Sequence, residues 1–280
     1  MPESALYIVA TPIGNLQDFT PRAIDTLNKV QVIAAEDTRH SARLMAHFNI
    51  RTPLISVHEH NEAHRVERIL QHLQQGESVA LISDAGTPVI SDPGFVMVKA
   101  VREAGFRVVP VPGCVACVAA LCASGLPSNR FSFEGFPPHK SSGRKQFYGE
   151  RAALPHTMMF YESPHRILAS IDDMIEVFGG QRQAAMAREL TKTFETIHSA
   201  PLAELRDWMA ADANQQRGEF VIMVEGAPEP EAAELDDEAL RVLDVLLAEL
   251  SVKQASTLAA QITGLKKKPL YQAALARKDG

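Results

Sequence analysis

The stretch LISDAGTPVISDPG, residues 81–94, indicates both the fold and a candidate site. An apolar run that ends at Ile82 is typical of a buried strand. The loop that follows it contains two Asp, two Gly, two Pro, two Ser and one Thr. These residues are common in ordinary turns, but Gly also lets the backbone approach a bound molecule closely. The segment is therefore either a simple turn or one wall of a ligand site.

Strand-like and helix-like patterns alternate on both sides of this loop. The strand-like runs are ALYIVA at 5–10, VIAAED at 32–37, PLISV at 53–57, SVALIS at 78–83, RVVPVP at 107–112 and TMMFYES at 157–163. Thr20 and Pro21 suit the N-cap and first position of one helix, and Gly76 suits the end of another. Alternating strands and helices predict a largely parallel sheet that is covered on both faces.

The chain is long enough for two α/β domains and a small third module. We place the first α/β domain at 1–112 and the second at 113–227, where less regular connections are compatible with a mixed sheet. Residues 130–146, RFSFEGFPPHKSSGRKQ, are interpreted as a hinge or mobile loop. The acidic, Pro- and Ala-rich segment at 227–238 is interpreted as a linker, and 236–280 as a helical module.

The overall composition argues against several functional classes. Apolar residues make up 46% of the chain and charged residues 22%, which favours a large folded core. The net charge of -6 argues against a protein that covers nucleic acid by bulk charge, although a local basic patch stays possible. No apolar run approaches the roughly 18 residues that span a bilayer, and the N-terminus lacks the basic start of a signal peptide. We expect a soluble cytoplasmic protein.

Two clusters of possible metal ligands have simpler interpretations. Cys114, Cys117 and Cys122 include a CxxC, but no second ligand pair follows it, and we expect these residues to pack in a buried helix. The run HEHNEAH is not HExxH, and Asn61 suits a helix cap that would leave His60 outside the helix. We therefore predict no metal site.

Segments with unusual chemistry follow several strands of the predicted sheet. They are ATPIGN at 10–15, SDAGTPVISDPG at 83–94, VPGCVA at 111–116 and YES at 161–163. Open α/β sheets bind ligands at the carboxyl ends of their strands. The sequence contains neither GxGxxG nor GxxxxGK[ST], which argues against a standard dinucleotide site and against a P-loop. Each segment alone is compatible with a turn, but all of them at one edge favour a ligand site.

A series of motifs occurs in the order in which a known enzyme family has them. They are ATPIGN, AAEDTRH, HEHNE, LISDAGTPVISDPG, VPVPG, ASGLPSNRFSFEGFPP, FYESPHR and ARELTKTFETIH. Together they resemble the bacterial enzymes that methylate the 2′-hydroxyl of a cytidine in 16S ribosomal RNA. Those enzymes belong to the tetrapyrrole-methylase class, which uses S-adenosylmethionine as methyl donor. One departure is the run at 113–116, GCVA, where family members often have Gly-Pro and a small residue.

The resemblance implies a two-domain tetrapyrrole-methylase-like α/β fold with a small C-terminal helical module. The methyl donor would lie in the cleft between the two α/β domains. The resemblance also implies a homodimer that acts on the RNA of the small ribosomal subunit. By similarity, the donor site contains Pro12, Ile82, Ser83, Asp84, Thr87, Ile90, Val115, Ala116, Tyr161, Glu162 and Leu190.

Acidic residues set among basic ones are candidates for orienting or deprotonating the ribose hydroxyl. The candidates are Asp37 in AAEDTRHSAR and Glu189 in ARELTK. Arg39, Arg188 and Lys192 beside them are candidates for holding an RNA phosphate. The alternative is that all these charges form structural ion pairs at strand ends. Both interpretations stay open at the level of the sequence.

The predicted C-terminal module carries positive charge at a turn. Gly264 suits the end of one helix and Pro269 the first turn of the next, which outlines a helix-turn-helix. Lys266, Lys267 and Lys268 lie at the start of the last helix, where three cations form a compact phosphate site. We expect these lysines to bind RNA. The alternative is a small helical cap whose lysines are only solvated.

Two other functions are compatible with these motifs. A porphyrinoid methylase would share the fold, but a small-molecule enzyme has no need of the C-terminal module. A non-catalytic RNA-binding or ribosome-assembly protein would share that module but would not bind S-adenosylmethionine. Donor binding and the chemical identity of the methylated product therefore separate the three functions.

Overall fold

The computed structural model describes residues 4–57, 62–228, 235 and 237–278, and all of their side chains except those of residues 63, 64 and 278. The chain forms two compact units, Met1–Gly226 and Ala227–Gly280. The predicted boundary between residues 112 and 113 lies inside the first unit, between its two sheets, and stays a prediction. Within the described residues, no helix has the length and apolar character needed to cross a membrane.

Five parallel strands form the first sheet: β1 Ala5–Val9, β2 Val32–Ala35, β3 Leu54–Ser56, β4 Val79–Ile82 and β5 Arg107–Val111. Their order across the sheet is β3-β2-β4-β1-β5, and every neighbouring pair is parallel, as predicted. Because β4, β1 and β5 are adjacent, the loops that follow them leave the sheet side by side.

Helices cover both faces of this sheet: α1 Pro21–Lys29, α2 Thr38–His47, α3 Glu62–Gln74 and α4 Phe95–Glu103. Successive strand residues point to opposite faces. Ile33 and Ile82 accordingly join the core that contains residues of α1 and α2, whereas Val32 and Leu81 join the core that contains residues of α3 and α4.

The helix ends follow local sequence signals. The Thr20 side chain accepts a hydrogen bond from the N–H of Ala23 at 3.1 Å, and Pro21 begins α1, as predicted. Gly76, shortly after α3, has φ of +81°, a conformation that favours glycine. The predicted cap Asn61 lies outside the described residues.

Helix α5, Ala116–Ser124, leads into a second sheet: β6 Phe131–Gly135, β7 Thr157–Glu162, β8 Gln183–Arg188, β9 Thr196–Pro201 and β10 Phe220–Val224. The strand order is β6-β7-β10-β8-β9. Only the pair β6–β7 is parallel among these neighbours, so the sheet is mixed. Helix α5 packs on one face, and the other face packs against α6 Ser141–Gly149, α7 Ile167–Phe178 and α8 Leu202–Ala211.

The segment 130–146 is not the hinge or mobile loop that its composition predicted. Its first part is β6, which pairs with β7, and its last part belongs to α6. Arg144 in α6 is buried and forms an ion pair of 2.7 Å with Asp173. The prediction was wrong because Pro, Ser and Gly report a local preference, which strand pairing and burial override.

The described residues of the second unit form three helices: α9 Asp237–Glu249, α10 Val252–Thr263 and α11 Lys267–Lys278. Ser251 and Gln254 form a capping box at the start of α10, and Gly264 ends it with φ of +72°. Pro269 lies in the first turn of α11, so the predicted ends are confirmed. The buried core of the unit contains Ala239, Leu243, Ala255, Ala259, Leu270 and Ala274.

Candidate active site

The loops that follow β1, β4 and β5 are bonded to one another at the carboxyl edge of the first sheet. Thr11 and Gly86 exchange two backbone hydrogen bonds of 2.8 and 3.1 Å. The Thr11 hydroxyl also donates to the Ser83 carbonyl oxygen at 3.2 Å. The Thr87 hydroxyl donates to the Cys114 carbonyl oxygen at 3.0 Å. Three of the predicted ligand-site segments therefore form one connected structure.

A cleft of about 320 Å³ lies between these loops and the second sheet, and we call it the central cleft. Its size suits a small molecule. The lining residues are Ile13, Ala85, Gly86, Thr87, Ile90, Ser91, Asp92, Val115, Ala116, Phe136, Tyr161, Glu162, Ser163, Pro164, Leu190, Glu219, Phe220 and Val221. They come from both sheets, so each sheet contributes one side of the cleft.

Most residues predicted for the donor site line the central cleft: Thr87, Ile90, Val115, Ala116, Tyr161, Glu162 and Leu190. The others do not line it. Pro12, Ile82 and Ser83 are buried, and the Asp84 carboxylate accepts a hydrogen bond from the N–H of Asp37 at 3.2 Å. These residues hold the loops in shape. That any of the predicted residues contacts a donor stays a prediction.

Two apolar residues of the cleft are each flanked by residues in the left-handed backbone region. Ile90 lies between Val89 with φ of 76° and Ser91 with φ of 62°. Leu190 lies between residues 189 and 191, with φ of 51° and 66°. Such conformations cost about 1–3 kcal/mol each for residues other than glycine and are concentrated at functional sites. Backbone strain that lowers the stability of the fold therefore holds Ile90 and Leu190 at the cleft.

Tyr161 is fixed in the wall of the cleft by its neighbours. Its hydroxyl oxygen accepts a hydrogen bond from the N–H of Cys117 at 3.3 Å. Its ring packs edge-to-face on Phe133 and Phe136, with ring centroids 4.7 and 5.4 Å away. Burial raises the pKa of the Tyr161 hydroxyl above its usual range. A neutral, rigid aromatic ring at this position suits packing against a flat group of a ligand.

Glu162 presents a buried carboxylate with one oxygen left unpaired. The side chain is 0% exposed, and Oε1 accepts hydrogen bonds from the N–H of Ser163 at 2.8 Å and from Nε of Arg166. Among the described residues, no group donates to Oε2. A buried polar atom without a partner is rare and calls for an explanation. A hydroxyl or amine of a molecule bound in the cleft would supply the missing hydrogen bond.

Asp92 is a cleft carboxylate that was not among the residues predicted from the sequence. Burial, together with the negative charges of Glu36 and Asp84, raises the pKa of Asp92 to about 6 against the effect of a hydrogen bond from Ser83. The signal available in the sequence was the second Ser-Asp of SDAGTPVISDPG, which repeats the first. A half-buried carboxylate with this pKa exchanges protons readily near neutral pH.

The two predicted catalytic acids are held in hydrogen bonds within the protein, and neither lines the central cleft. Asp37 caps α2. Its carboxylate accepts hydrogen bonds from the Arg39 guanidinium, at 2.9 Å, and from the backbone N–H of Arg39, and these bonds lower the pKa of Asp37 well below its usual range. Burial acts to raise the pKa of Glu189. Hydrogen bonds from Lys192 at 2.9 Å and from the N–H of Glu219 at 3.1 Å outweigh burial, so the pKa of Glu189 is lowered. Their catalytic role stays a prediction.

The predicted phosphate-binding cations differ in exposure. Arg39 has a side chain that is 90% exposed, whereas Arg188 is buried and donates to the Arg217 carbonyl oxygen and the Thr196 hydroxyl. Lys192 is bonded to the carboxylates of Glu189 and Glu219. In the second unit, Lys266, Lys267 and Lys268 are exposed at the start of α11. RNA contact by each of these residues stays a prediction.

The expectation that the cysteines pack in a buried helix is confirmed for Cys117 but wrong for Cys114 and Cys122. Cys117 is buried in α5, Cys122 on the same helix is exposed, and Cys114 precedes the helix. Within the part of the chain that the structure describes, no three His, Cys, Asp or Glu side chains form a group that could hold a metal ion. His60 lies outside the described residues.

Comparison with known proteins gives two family matches. Residues 5–206 match the tetrapyrrole (corrin/porphyrin) methylases, and residues 233–278 match the RsmI C-terminal HTH domain. The chain is 59% identical to ribosomal RNA small subunit methyltransferase I of Pseudomonas aeruginosa, over 99% of both chains. It is 54% identical to the protein of the same name from Vibrio cholerae, over 95% of this chain and 93% of that one.

Solved structures share the fold of the first unit. Diphthine synthase superposes with a TM-score of 0.61 at 14% identity, covering 80% of this chain and 90% of the other. The methyltransferase CobJ superposes with a TM-score of 0.59 at 19% identity, over 80% and 95% of the two chains. The resemblance drawn from the motifs and the predicted fold class are thereby confirmed. The chain belongs to the tetrapyrrole methylase family and, within it, to the family of ribosomal RNA small subunit methyltransferase I.

Proposed function

We propose that this protein transfers a methyl group from S-adenosylmethionine to the 2′-hydroxyl of a cytidine in 16S ribosomal RNA of the small ribosomal subunit. The observation that carries the proposal is the central cleft in a chain whose full length matches the rRNA methyltransferases. Both sheets contribute to this cleft, and Glu162, one of its lining residues, has a buried carboxylate oxygen that no described residue hydrogen-bonds.

The residues of the cleft fit the methyl donor. S-adenosylmethionine carries hydroxyl and ammonium groups, an aromatic base, and a methyl group on a positively charged sulfur. Oε2 of Glu162 would accept a hydrogen bond from a hydroxyl or amine of S-adenosylmethionine. Ile90, Val115 and Leu190 would contact its apolar parts, and Tyr161 offers a rigid ring for packing. The backbone strain beside Ile90 and Leu190 fixes these contacts before the donor arrives.

The reaction needs positioning and the removal of one proton. The 2′-oxygen attacks the methyl carbon as the carbon–sulfur bond breaks, and sulfur leaves with the electron pair as a neutral thioether. Because the sulfonium is already a good leaving group, alignment in the cleft supplies much of the acceleration. The hydroxyl proton must pass to a base, since a neutral hydroxyl is a poor nucleophile.

Asp92 is the carboxylate that we assign to this proton transfer. It lines the central cleft, and its pKa of about 6 leaves it ionised and still basic at neutral pH. Asp37 and Glu189 have lowered pKa values and are occupied by Arg39 and Lys192, which weakens both as bases. They remain the alternatives to be tested.

Methylation of small subunits isolated from cells that lack this protein tests the function. With wild-type protein and S-adenosylmethionine, mass spectrometry of the digested RNA is expected to show one new 2′-O-methylcytidine. Asp92→Asn should keep donor binding and lose turnover by about 10²- to 10⁴-fold, while Asp37→Asn and Glu189→Gln keep most activity. A large loss confined to Asp37→Asn or Glu189→Gln would transfer the role of base to that residue.

The C-terminal unit argues against a porphyrinoid substrate. The solved methylases described above cover 80% of this chain but 90% or more of their own lengths, so their likeness stops short of a full-length match. The second unit instead matches a domain named for the rRNA methyltransferases. Absence of the methylated cytidine, with normal binding of S-adenosylmethionine, would favour another methyl acceptor. Absence of donor binding would favour a non-catalytic protein.

Assembly and location are also part of the proposal. We propose a homodimer in the cytoplasm, where ribosomal RNA is available, with α/β domains at 1–112 and 113–227 and an RNA-contacting module at 236–280. The support for the dimer is the resemblance to the family. Sedimentation equilibrium measures the oligomeric state, and a monomer at micromolar concentration would contradict the dimer.

A further inference from the structure

We propose that a second cleft, next to the central cleft, binds the base of one unstacked nucleotide of the RNA substrate. This Arg188 cleft has a volume of about 650 Å³ and is formed by the end of β8, the turn that leads to β9, and residues 212–218. Its lining includes Arg188, Phe194, Gln215 and Arg217. The inference rests on the proposed action on RNA, and it adds a site that holds part of the acceptor.

Arg188 is a buried cation without a carboxylate partner in hydrogen-bonding range among the described residues. It is 6% exposed and donates to two neutral oxygens, the Arg217 carbonyl at 3.1 Å and the Thr196 hydroxyl at 3.3 Å. Its Nε has no acceptor within the described part of the chain. A buried, incompletely bonded arginine is costly. An acceptor atom from a bound molecule would complete its hydrogen bonds.

Gln215, which lines the same cleft, has a hydrogen-bond acceptor without a donor. Its Nε2 donates to Asp212 at 3.2 Å, but its buried Oε1 receives no hydrogen bond from any described residue. Two residues that line the cleft therefore carry buried polar atoms without partners among the described residues, a donor on Arg188 and an acceptor on Gln215. A phosphate offers only acceptors, whereas the edge of a nucleobase offers both kinds of group. This pairing favours a base over a phosphate.

The acids of the cleft are already bonded within the protein. Glu189 accepts from Lys192 at 2.9 Å, Glu195 accepts from the N–H of Thr191 at 2.6 Å, and Asp212 accepts from the N–H of Asn214 at 2.9 Å. Glu189 and Asp212 interact electrostatically with Arg188, but Arg188 donates its hydrogen bonds to neutral oxygens. With Arg188 and Arg217 set against Glu189, Glu195 and Asp212, the lining carries a net charge of −1. A nearly neutral, polar site suits a base edge.

Phe194 supplies a stacking surface at the mouth of this cleft. It is 71% exposed, and among the described residues it makes no aromatic ring contact. Glu189 and Thr191 hold the same turn in left-handed conformations, with φ of 51° and 66°. Exposed aromatic rings on such turns bind unstacked RNA bases in many RNA-binding proteins.

The two clefts share a wall, which gives the site a role in presenting the acceptor. Glu189 and Gly218 line the Arg188 cleft, whereas the residues that follow them, Leu190 and Glu219, line the central cleft. A nucleotide held on Phe194 would therefore lie near the one whose hydroxyl meets the methyl donor. Binding one base outside the stack would help to expose its neighbour.

Equilibrium binding of a fluorescein-labelled, single-stranded RNA 12-mer of mixed sequence tests the proposal on the full chain. Phe194→Ala is expected to weaken RNA binding by about 5- to 100-fold, the effect of losing one base–aromatic stack. Phe95→Ala is the matched control, because Phe95 is similarly exposed at 66% and lines neither cleft. Binding of S-adenosylmethionine, measured by calorimetry, should be unchanged in both variants.

Gln215→Leu separates ligand binding from folding. We expect weaker RNA binding with a melting temperature close to that of the wild type, since the substitution removes a buried unpaired oxygen together with one exposed hydrogen bond to Asp212. Unchanged RNA binding by both Phe194→Ala and Gln215→Leu would overturn the site, while wild-type RNA binding and methylation would leave the proposed function standing. A loss confined to Arg217→Ala, with a reduced salt dependence, would overturn base binding in favour of a phosphate contact.

Discussion

At the scale of single residues, the central cleft depends on carboxylates in very different environments. Glu162 is fully buried with one oxygen paired and one unpaired, and Asp92 is half-buried near two other acids. The carboxylates of Asp84 and Asp37, which the motifs also single out, accept hydrogen bonds from the backbone N–H groups of Asp37 and Arg39 respectively. The same functional group therefore serves to bind, to transfer a proton or to support the fold, depending on its neighbours.

Glu162→Gln should weaken donor binding more than it weakens the fold. The amide oxygen can replace Oε1 toward Ser163 and Arg166, which leaves an NH₂ group at the position where Oε2 would accept a hydrogen bond from the methyl donor. Loss of a hydrogen bond that involves a charged group costs about 1.5–3 kcal/mol, or roughly 10- to 100-fold in affinity. Calorimetric titration with S-adenosylmethionine measures the effect, with the exposed Glu103→Gln as control. Wild-type affinity in Glu162→Gln would contradict the assignment.

Asp92→Asn should stabilise the protein at neutral pH but not in acid. The folded state raises the pKa of Asp92 from 3.8 to about 6, so it binds the proton more tightly than the unfolded chain does. Ionised Asp92 therefore lowers the free energy of unfolding. This destabilisation is absent below about pH 4 and complete above about pH 6. After allowance for solvent screening, we expect the free energy of unfolding of Asp92→Asn to exceed that of the wild type by about 1–2 kcal/mol at pH 7.5.

Thermal unfolding of wild type and Asp92→Asn from pH 4 to 7.5 checks this prediction. The two melting temperatures should coincide near pH 4 and separate as the pH rises. A constant difference across the range would show that the carboxyl group is not the cause, since a packing effect does not titrate.

At the scale of elements, the loop after β4 is held in shape by its contact with the sheet below it. Gly94 precedes α4 with φ of +130°, and a Cβ there would lie 2.7 Å from Cδ2 of Leu81 and 3.1 Å from Cγ2 of Val89. The end of the loop and the start of α4 therefore approach β4 more closely than a side chain allows. This close approach positions Ile90 and Asp92 at the cleft.

Gly94→Ala should destabilise the protein by about 2–4 kcal/mol, from backbone strain plus overpacking. Gly105→Ala is the matched control, because Gly105 also has a positive φ of +83° but open space around it. We expect a cost of about 1–2 kcal/mol for the control. Urea unfolding of the two variants measures the difference. Equal midpoints would mean that the contact with Leu81 relaxes freely.

At the scale of the whole molecule, we expect the chain to separate methyl transfer from part of its RNA binding. The central cleft belongs entirely to residues 1–226, and the second unit has its own buried core. Each unit therefore has the internal packing that a stable module needs. We expect a chain that ends at residue 234 to bind S-adenosylmethionine normally and to bind small subunits more weakly.

Replacing Lys266, Lys267 and Lys268 with Ala should weaken RNA binding and flatten its dependence on salt. If each lysine neutralises one phosphate, the slope of log affinity against log salt falls by about two to three units. Binding to small subunits at several salt concentrations measures the slope, and circular dichroism checks that the helices remain. An unchanged slope would show that these lysines are solvated and do not bind phosphate groups.

The sequence by itself determined the features that are local or that depend on order along the chain. Alternating patterns predicted the parallel first sheet, Thr20, Pro21 and Gly264 predicted helix ends, and the ordered motifs identified the family. Each of these depends on neighbours a few residues apart, or on a motif that needs no coordinates. Composition misled where strand pairing overrode it, as in β6.

Only the tertiary structure decided which side chains line the central cleft. Asp84 lies in the most distinctive motif and does not line it, whereas Asp92 in the same loop does. Arg188 and Glu189 are consecutive, yet Arg188 is buried and donates to neutral oxygens, whereas Glu189 is paired with Lys192. The physical reason is that burial, hydrogen-bond partners and pKa depend on segments far apart in the chain, which meet only when the strand order of both sheets is set.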